Sequence, residues 1–215
     1  SFYFAHKELD SLFFHDERLQ LRYSDLRNSI SNESPESSYT CFQDALKNDR
    51  IDFFFLGDFN EVEITESLKS LPFTARKSDV AIQYNQSYSN VLQEGMVQRN
   101  VGQSILEMGY HSPVKYGDDQ HLPMLVMNGL LGEFAHSKLF TNVRENAGIA
   151  YTVSSQLDLF SGLLRMYAGI DRGNRNQARK MMNHQLMDLK KGNFTDFEFE
   201  QTKEMIRRSL LISQD

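Results

Sequence analysis

The sequence lacks the features that mark disulfide-stabilised and membrane-spanning proteins. It contains a single cysteine, Cys41, so no disulfide can form within the chain. Neither a helix start nor a basic cluster lies beside Cys41 to stabilise a thiolate, so we expect a small, half-buried side chain there. No apolar run approaches the roughly 18 residues of a membrane span, and the opening SFYFAHKELD has neither the charged leader nor the cleavage site of a signal peptide. We therefore expect a cytoplasmic protein that does not bind a membrane.

An excess of lysine and arginine is also missing. The chain has 23 basic and 29 acidic side chains, which gives a net charge of -6. A surface that binds nucleic acid needs positive charge to release counterions from the phosphates, so we expect no nucleic-acid partner. The apolar content of 40% and the charged content of 24% are ordinary for a globular protein with one or two packed cores.

The motifs of self-contained catalysis are missing too. None of the six histidines lies in H-x-x-E-H or H-E-x-x-H, patterns in which two histidines on one helix bind zinc and a glutamate acts as general base. The sequence contains no G-x-S-x-G, no G-x-G-x-x-G and no P-loop. A zinc site assembled from dispersed histidines is the alternative left open. We predict no catalytic residue, no metal ligand and no cofactor for this chain.

Local patterns along the first 90 residues predict one α/β unit and a polar connection. The stretch SISNESPESS, Ser29–Ser38, is rich in turn-forming residues and predicts a loop before a helix over Tyr39–Lys47. The continuous apolar run IDFFFLGD, Ile51–Asp58, predicts a strand buried on both faces. Asn60 is predicted to cap the helix that follows, and the polar stretch Thr74–Asn90 is predicted to be a linker.

The second part of the chain predicts a sheet covered by helices. Met96–Tyr110 alternates in character as a long strand does, and a helix is expected to run to about Phe140. The segments AYTVSSQLD and GLLRMYAGI are separated only by LFS, which predicts an antiparallel hairpin. Asn174 and Gly192 bracket another helix, and a T-x-x-E capping box from Thr195 starts the last one. The predicted class is α+β, with mainly antiparallel sheets and helices packed on one face.

One stretch places two strong hydrogen-bonding side chains around a turn of small residues. In SKLFTNVRENAGIAYTVSS, Arg144 lies at the end of a helix-like run and Tyr151 enters a strand-like run. Guanidinium and phenol groups that point into one cleft can donate hydrogen bonds to a peptide carbonyl. Two other interpretations stay open, because Arg144 and Glu145 can form a surface ion pair and Tyr151 can be an ordinary strand aromatic.

The same region resembles the pitrilysin/insulinase family of zinc peptidases, in the C-terminal half of the family's subunits. The segment LLGEFAHSKLFTNVRENAGIAYTV is similar to the family pattern LG-x-x-x-x-S-x-LF-x-x-(V/L)RE-x-x-G-(L/I)-x-Y-x-(V/I), and GNFTDFEFEQTKEMIRRSLL is similar to a second, later pattern. The matching residues are Leu131, Gly132, Ser137, Leu139, Phe140, Arg144, Glu145, Gly148, Ile149 and Tyr151 in the first pattern, and Gly192, Phe194, Thr195, Glu198, Phe199, Lys203 and Leu210 in the second.

The resemblance also implies a domain organisation. Residues 1–75 correspond to the end of an N-terminal α+β half, residues 76–92 to a linker, and residues 93–215 to the first part of a C-terminal α+β half, so the chain is expected to be truncated at both ends. In this family the inverted zinc motif lies early in the N-terminal half, so the resemblance implies zinc in the complete protein and none in this chain. The family's C-terminal half closes over the substrate, which implies substrate-binding roles for Arg144 and Tyr151.

Three functions follow as alternatives. In the first, the chain is the substrate-enclosing, metal-free half of a zinc-dependent peptidase homologue that takes a peptide substrate. In the second, the complete protein is a non-catalytic family member that forms a homodimer or heterodimer with a related peptidase subunit. In the third, the chain is a plain α+β peptide- or protein-interaction domain.

Overall fold

The computed structural model describes residues 1–15, 19–20, 23–71, 73 and 91–213. The chain divides into two compact units, one formed by Ser1–Tyr23 together with Asn85–Asp215 and one formed by Ser24–Tyr84. The predicted linker Thr74–Asn90 lies outside the described residues. The assignment of residues 1–75 to an N-terminal half stays a prediction, although the contacts group residues 1–23 with the later part of the chain. No described helix combines the length and the apolar character that a membrane span requires.

The described part of the smaller unit contains three helices, α2 (Tyr23–Asn32), α3 (Pro35–Asn48) and α4 (Glu61–Lys69). Most of the predicted loop Ser29–Ser38 is therefore helical, and that prediction is wrong. The turn-forming residues there cap a helix, since the Ser34 hydroxyl accepts from the Ser37 amide at 3.1 Å and the Ser37 hydroxyl accepts from the Ser34 amide at 3.1 Å. A proline follows at the first helical position, where its missing N–H costs nothing.

Two further expectations for this unit have opposite outcomes. The predicted cap at Asn60 is confirmed, because its side-chain oxygen accepts from the Val62 amide at 3.0 Å. The predicted half-burial of Cys41 is wrong, because this residue is exposed on α3.

The predicted buried strand Ile51–Asp58 is also wrong for the described residues. Residues 51–56 pair with no other described strand, and Phe54 and Leu56 are 93% and 103% exposed. On the other side of the segment, the rings of Phe53 and Phe55 lie 6.4 Å apart. The apolar run has the composition of a buried strand, but the described part of this unit supplies no paired strand for it. The rings of Phe53 and Phe55 contact those of Phe73 and Phe59, and both still remain 47% exposed.

In its described residues, the larger unit is built on a three-stranded antiparallel sheet. Its strands are β1 (Ser104–His111), β2 (Ala150–Asp158) and β3 (Leu163–Ile170), in the order β1-β3-β2. The predicted hairpin is confirmed as β2 and β3. The strand predicted from Met96 begins only at Ser104, because residues 91–103 do not join the sheet.

One face of the sheet carries the hydrophobic core. Helices α5 (His121–Asn128), α6 (Arg175–Lys190) and α7 (Asp196–Ile212) belong to this layer, with π-helical segments at Gly129–Glu133 and Phe140–Asn146. The predicted α+β class with an antiparallel sheet is confirmed. The buried apolar side chains of this core are Leu130, Leu131, Leu139, Val143, Ile149, Ala150, Val153, Leu164, Met166, Ala168, Ile170, Ala178, Met182 and Leu189.

The ends of the last two long helices follow the sequence signals. Gly192 has a φ of +78° just beyond α6, the left-handed conformation that glycine adopts without strain. The Thr195 hydroxyl accepts from the Glu198 amide at 3.2 Å, and the Glu198 carboxylate accepts from the Thr195 amide at 2.7 Å. Both predictions are therefore confirmed.

The helix predicted to reach Phe140 is interrupted. The backbone becomes extended at Phe134, and the next helical segment starts after Ser137, whose hydroxyl accepts from the Phe140 amide. Gly132 explains why the first segment ends close to the sheet, because a Cβ atom there would lie 2.6 Å from the Ser155 amide nitrogen of β2. This close approach binds the helical layer to the edge strand.

A helix on the opposite face of the sheet adds to the predicted arrangement. Helix α1 (Phe2–Phe13) lies against β1 and β3 through a buried cluster of charged side chains. Arg165 on β3 donates to Glu107 on β1 at 3.0 Å and to Asp10 on α1 at 2.6 Å. The Nδ1 atom of His6 lies 2.6 Å from Oε1 of Glu107, so His6 belongs to the same cluster.

Replacing Gly132 by alanine should destabilise the protein by about 1–3 kcal/mol, because the added Cβ atom would press on the backbone of β2 as well as on Leu139. Urea unfolding followed by circular dichroism measures this change. Gly173→Ala is the matched control, since no atom lies within 4 Å of its added Cβ. Equal stability of the Gly132→Ala variant and the unmodified protein would contradict the close packing.

Glu107→Gln should change how stability depends on pH. Burial raises the pKa of Glu107 from 4.5 to about 7, against the opposing effect of Arg165. A carboxyl whose pKa is raised in the folded state costs stability as pH rises from its unfolded value through the folded one. The glutamine variant should therefore gain stability relative to the unmodified protein between pH 4.5 and about pH 7.

The other titrating group of the cluster, His6, is present in both proteins. Burial and then Arg165 lower the pKa of His6, so His6 costs stability as pH falls below 6.5 in both proteins. Lys7 and Asp10 also face the cluster from α1 and are unchanged in the variant. Glu200→Gln on the exposed surface of α7 is the control, and a stability difference for Glu107→Gln that is flat across this range would contradict the assignment.

Candidate functional site

Arg144 and Tyr151 lie on either side of a tight connection between a π-helical segment and β2. Arg144 is in the last turn of Phe140–Asn146, and its carbonyl accepts from the Gly148 amide at 3.1 Å. Gly148 has a φ of +61°, which a residue with a side chain adopts only with strain. The glycine of the family pattern thus reverses the chain just before the strand that carries Tyr151.

The Arg144 side chain is held only at the surface. Its guanidinium lies 4.6 Å from the centre of the Phe140 ring and 3.6 Å from the Glu145 carboxylate. The side chains of Arg144 and Glu145 are 42% and 56% exposed, so this ion pair contributes under about 1 kcal/mol. With respect to the described residues, the guanidinium therefore keeps N–H donors free for a ligand.

Tyr151 lies at an irregularity of the sheet. Ala150 pairs with Ile170 and Thr152 pairs with Gly169, so Tyr151 is an extra residue in β2, a β-bulge. Strict alternation back from the buried Val153 would turn Tyr151 toward the core. Because of the bulge, Ala150 is buried at 6% exposure and Tyr151 is 60% exposed.

An aspartate directly after β3 holds the exposed phenol. The Tyr151 hydroxyl donates toward both carboxylate oxygens of Asp171, at 3.1 and 3.2 Å. This hydrogen bond, together with the negative charge of Asp171, raises the pKa of Tyr151. The phenol therefore stays protonated and oriented at neutral pH.

Asp171 was not predicted from the sequence. A tight hairpin counted outward from the pair Asp158 and Leu163 would place Tyr151 opposite Ile170 and on the core face. The bulge shifts this register by one residue, and no local sequence signal of the kind that marks caps or turns identifies it. The available signal was that Asp171 directly follows GLLRMYAGI, the strand predicted to pair with the strand of Tyr151.

The structure places both predicted residues on the surface without joining them. Among the described residues, Arg144 and Tyr151 make no hydrogen bond or ring contact with each other. Their predicted roles in substrate binding stay a prediction. Chemically, the pair offers an accessible cation and a fixed phenol, which can orient a polar ligand.

The donor set for a metal is not present in the part of the chain that the structure describes. No group of three or more histidine, cysteine, aspartate or glutamate side chains there is arranged to hold a metal ion. Several of these side chains instead pair with other protein groups, among them Glu107, His136 and Glu198. The described residues therefore do not fit a zinc centre.

Comparisons with known proteins identify the family of this chain. The profile of the family described as "Peptidase M16 inactive domain" matches residues 32–206. The "Probable inactive metalloprotease YmfF" of Bacillus subtilis is 31% identical over 189 residues, which cover 87% of this chain and 44% of YmfF. The "Uncharacterized zinc protease YmxG" of the same organism is 32% identical over 102 residues, which cover 46% of this chain and 25% of YmxG.

A solved structure extends the comparison to nearly the whole chain. A conserved protein from Enterococcus faecalis V583 matches with a TM-score of 0.90 and 34% sequence identity, over 99% of this chain and 50% of that protein. The chain thus spans about half the length of the relatives that it matches over most of its own length. The resemblance to zinc peptidases is confirmed, and the chain belongs to the peptidase M16 family, in which it corresponds to the inactive domain.

Proposed function

We propose that this chain supplies the metal-free, substrate-enclosing half of a zinc peptidase homologue, and that Arg144 and Tyr151 contact the peptide. Any hydrolytic chemistry belongs to the remainder of the complete protein or to a partner subunit. The observation that carries the proposal is the exposed Tyr151, which a bulge turns away from the core and Asp171 holds in place. A purely structural strand aromatic needs neither the bulge nor the carboxylate.

The neighbouring Arg144 supports a role in binding peptide backbone. Its guanidinium is accessible and weakly paired, and such a group donates well to a carbonyl oxygen. An extended peptide presents carbonyl and amide groups along its length, so it is the ligand class that suits an exposed arginine and tyrosine together. In the enclosed complex, these side chains orient the backbone and exclude water.

The apolar segment 51–56 supports the view that more polypeptide covers this chain. Phe54 and Leu56 are almost fully exposed in the described unit, which is unusual for such large apolar side chains. The relatives are about twice as long as this chain. We therefore expect other parts of the complete protein to pack against this segment.

A second candidate function is that of a non-catalytic partner subunit. YmfF, which is named "Probable inactive metalloprotease", matches 87% of this chain, whereas YmxG, which is named as a zinc protease, matches 46%. In this version, the complete protein pairs with an active peptidase subunit as a homodimer or heterodimer. For both candidate functions, we propose a cytoplasmic protein that binds a peptide.

Metal dependence separates the two functions. The chain alone should not hydrolyse peptides, because its described residues provide no ligand set for zinc. The complete protein should show chelator-sensitive hydrolysis only if the remainder carries H-x-x-E-H. Activity that appears only on mixing with a related peptidase supports the partner-subunit function. Chelator-sensitive hydrolysis by this chain alone would contradict both versions.

Arg144→Ala and Tyr151→Phe should each weaken peptide binding by the complete protein about three- to tenfold, the range expected for losing one hydrogen bond to a ligand. Fluorescence anisotropy with a labelled extended peptide measures the affinity. The matched controls are Arg208→Ala and Tyr116→Phe, which alter other exposed side chains of the same types. If all four variants bind equally well, the chain is a plain interaction domain whose binding surface lies elsewhere.

A further inference from the structure

We infer that Asp171 fixes Tyr151 as a hydrogen-bond acceptor, so that the phenolic oxygen receives a backbone N–H of the bound peptide. Asp171 is then a positioning residue that acts through Tyr151. This inference rests on the proposed peptide-binding function and assigns a direction to one of its contacts. It also revises the sequence-based expectation that the phenol donates to a peptide carbonyl.

Asp171 has no other structural task that would explain its side chain. It stands at the start of the short 3-10 helix Arg172–Asn174, where an aspartate commonly caps backbone amides. Its carboxylate makes no such cap, although its backbone carbonyl accepts from the Asn174 amide at 3.0 Å. The carboxylate is therefore available to the phenol.

The cation next to Asp171 in sequence is turned to a different partner. The guanidinium of Arg172 donates to the carbonyl oxygens of Arg99 and Val101, at 3.4 and 3.2 Å. Within the described part of the chain, no lysine, arginine or histidine forms an ion pair with Asp171. The negative charge beside Tyr151 is thus not neutralised by a neighbouring side chain.

The single hydroxyl proton of Tyr151 determines whether the phenol donates to a ligand or accepts from it. A phenol carries one proton, and this proton is directed between the two carboxylate oxygens, both within 3.2 Å. The lone pairs of the phenolic oxygen remain for a ligand. A peptide carbonyl brought to the same place would face the oxygen and the nearby carboxylate, whereas a peptide N–H is attracted to both.

The bulge supports the same conclusion, because it creates the contact with Asp171. With regular pairing, Tyr151 would lie opposite Ile170 and point into the core. The extra residue brings the phenol to the exposed face, next to the residue that follows β3. Bulges of this kind re-aim single side chains at binding sites.

The first experiment measures the hydrogen bond in the free protein. The pKa of Tyr151 is followed by NMR in protein with labelled tyrosine, and the signal is assigned with Tyr151→Phe. Asp171→Asn should lower the pKa of Tyr151, because Asp171 raises it. Asp196→Asn, at an exposed carboxylate on α7, is the control. An unchanged pKa in Asp171→Asn would overturn the inference.

The second experiment identifies the ligand atom in the complete protein. A set of extended peptides is prepared in which single backbone amides are replaced by esters, which removes one N–H at a time. At one position in the peptide, the ester should weaken binding to the unmodified protein about three- to tenfold. The same ester should have no effect on the Tyr151→Phe variant, because the acceptor is already missing, and its effect should shrink in Asp171→Ala.

An ester also makes its own carbonyl oxygen a weaker acceptor. A loss of affinity that arises from a weaker hydrogen bond between Arg144 and that carbonyl should disappear in Arg144→Ala. If Tyr151→Phe weakens binding but no ester penalty depends on Tyr151, the phenol is a donor. The inference then falls while the proposed function stands. If neither Arg144→Ala nor Tyr151→Phe changes peptide binding, both the proposed function and the inference are wrong.

Discussion

The extra residue in β2 is the constraint on which the exposed site depends. From Thr152 to Asp158 the strand pairs regularly with β3, so Val153 and Ser155 point into the helical layer. The bulge at Tyr151 lets Ala150 return to the core, opposite Ile170, while the phenol leaves it. A single shift of register thus satisfies two needs, because it completes the core at the end of the sheet and presents a polar side chain at its surface.

The helical layer is bound tightly to this same strand. Ser155 donates to the Asn128 side chain at 2.8 Å, and Asn128 donates to Glu133 at 3.0 Å, so the buried polar groups are satisfied. Beyond Gly132, the fully buried Leu139 and Val143 anchor the segment that carries Arg144. Arg144 and Tyr151 are therefore exposed side chains on a closely packed backbone. Less conformational entropy of this backbone is lost when a ligand binds.

The features that the sequence predicted are those with local causes. A cap at Asn60, a capping box at Thr195 and a left-handed glycine at Gly192 need only neighbours within a few residues. The short connection between β2 and β3 likewise predicts their pairing. The failed predictions needed distant partners, since Ile51–Asp58 has the composition of a buried strand but finds no sheet among the described residues. The bulge was invisible for the same reason, because a register is a property of two strands.

A metal-free, substrate-enclosing half can still determine the chain direction of a bound peptide. Two donors facing a backbone would donate to carbonyls in either chain direction, because they recognise only one kind of group. In the proposed complex, Arg144 donates to a carbonyl and the Tyr151–Asp171 pair accepts an amide, so the two contacts have opposite polarity. A peptide in the reverse direction presents its amides and carbonyls in the opposite order along the same path. In that proposed complex the pair would favour one chain direction, which has to be fixed before a catalytic group on the opposite side could act on a defined bond.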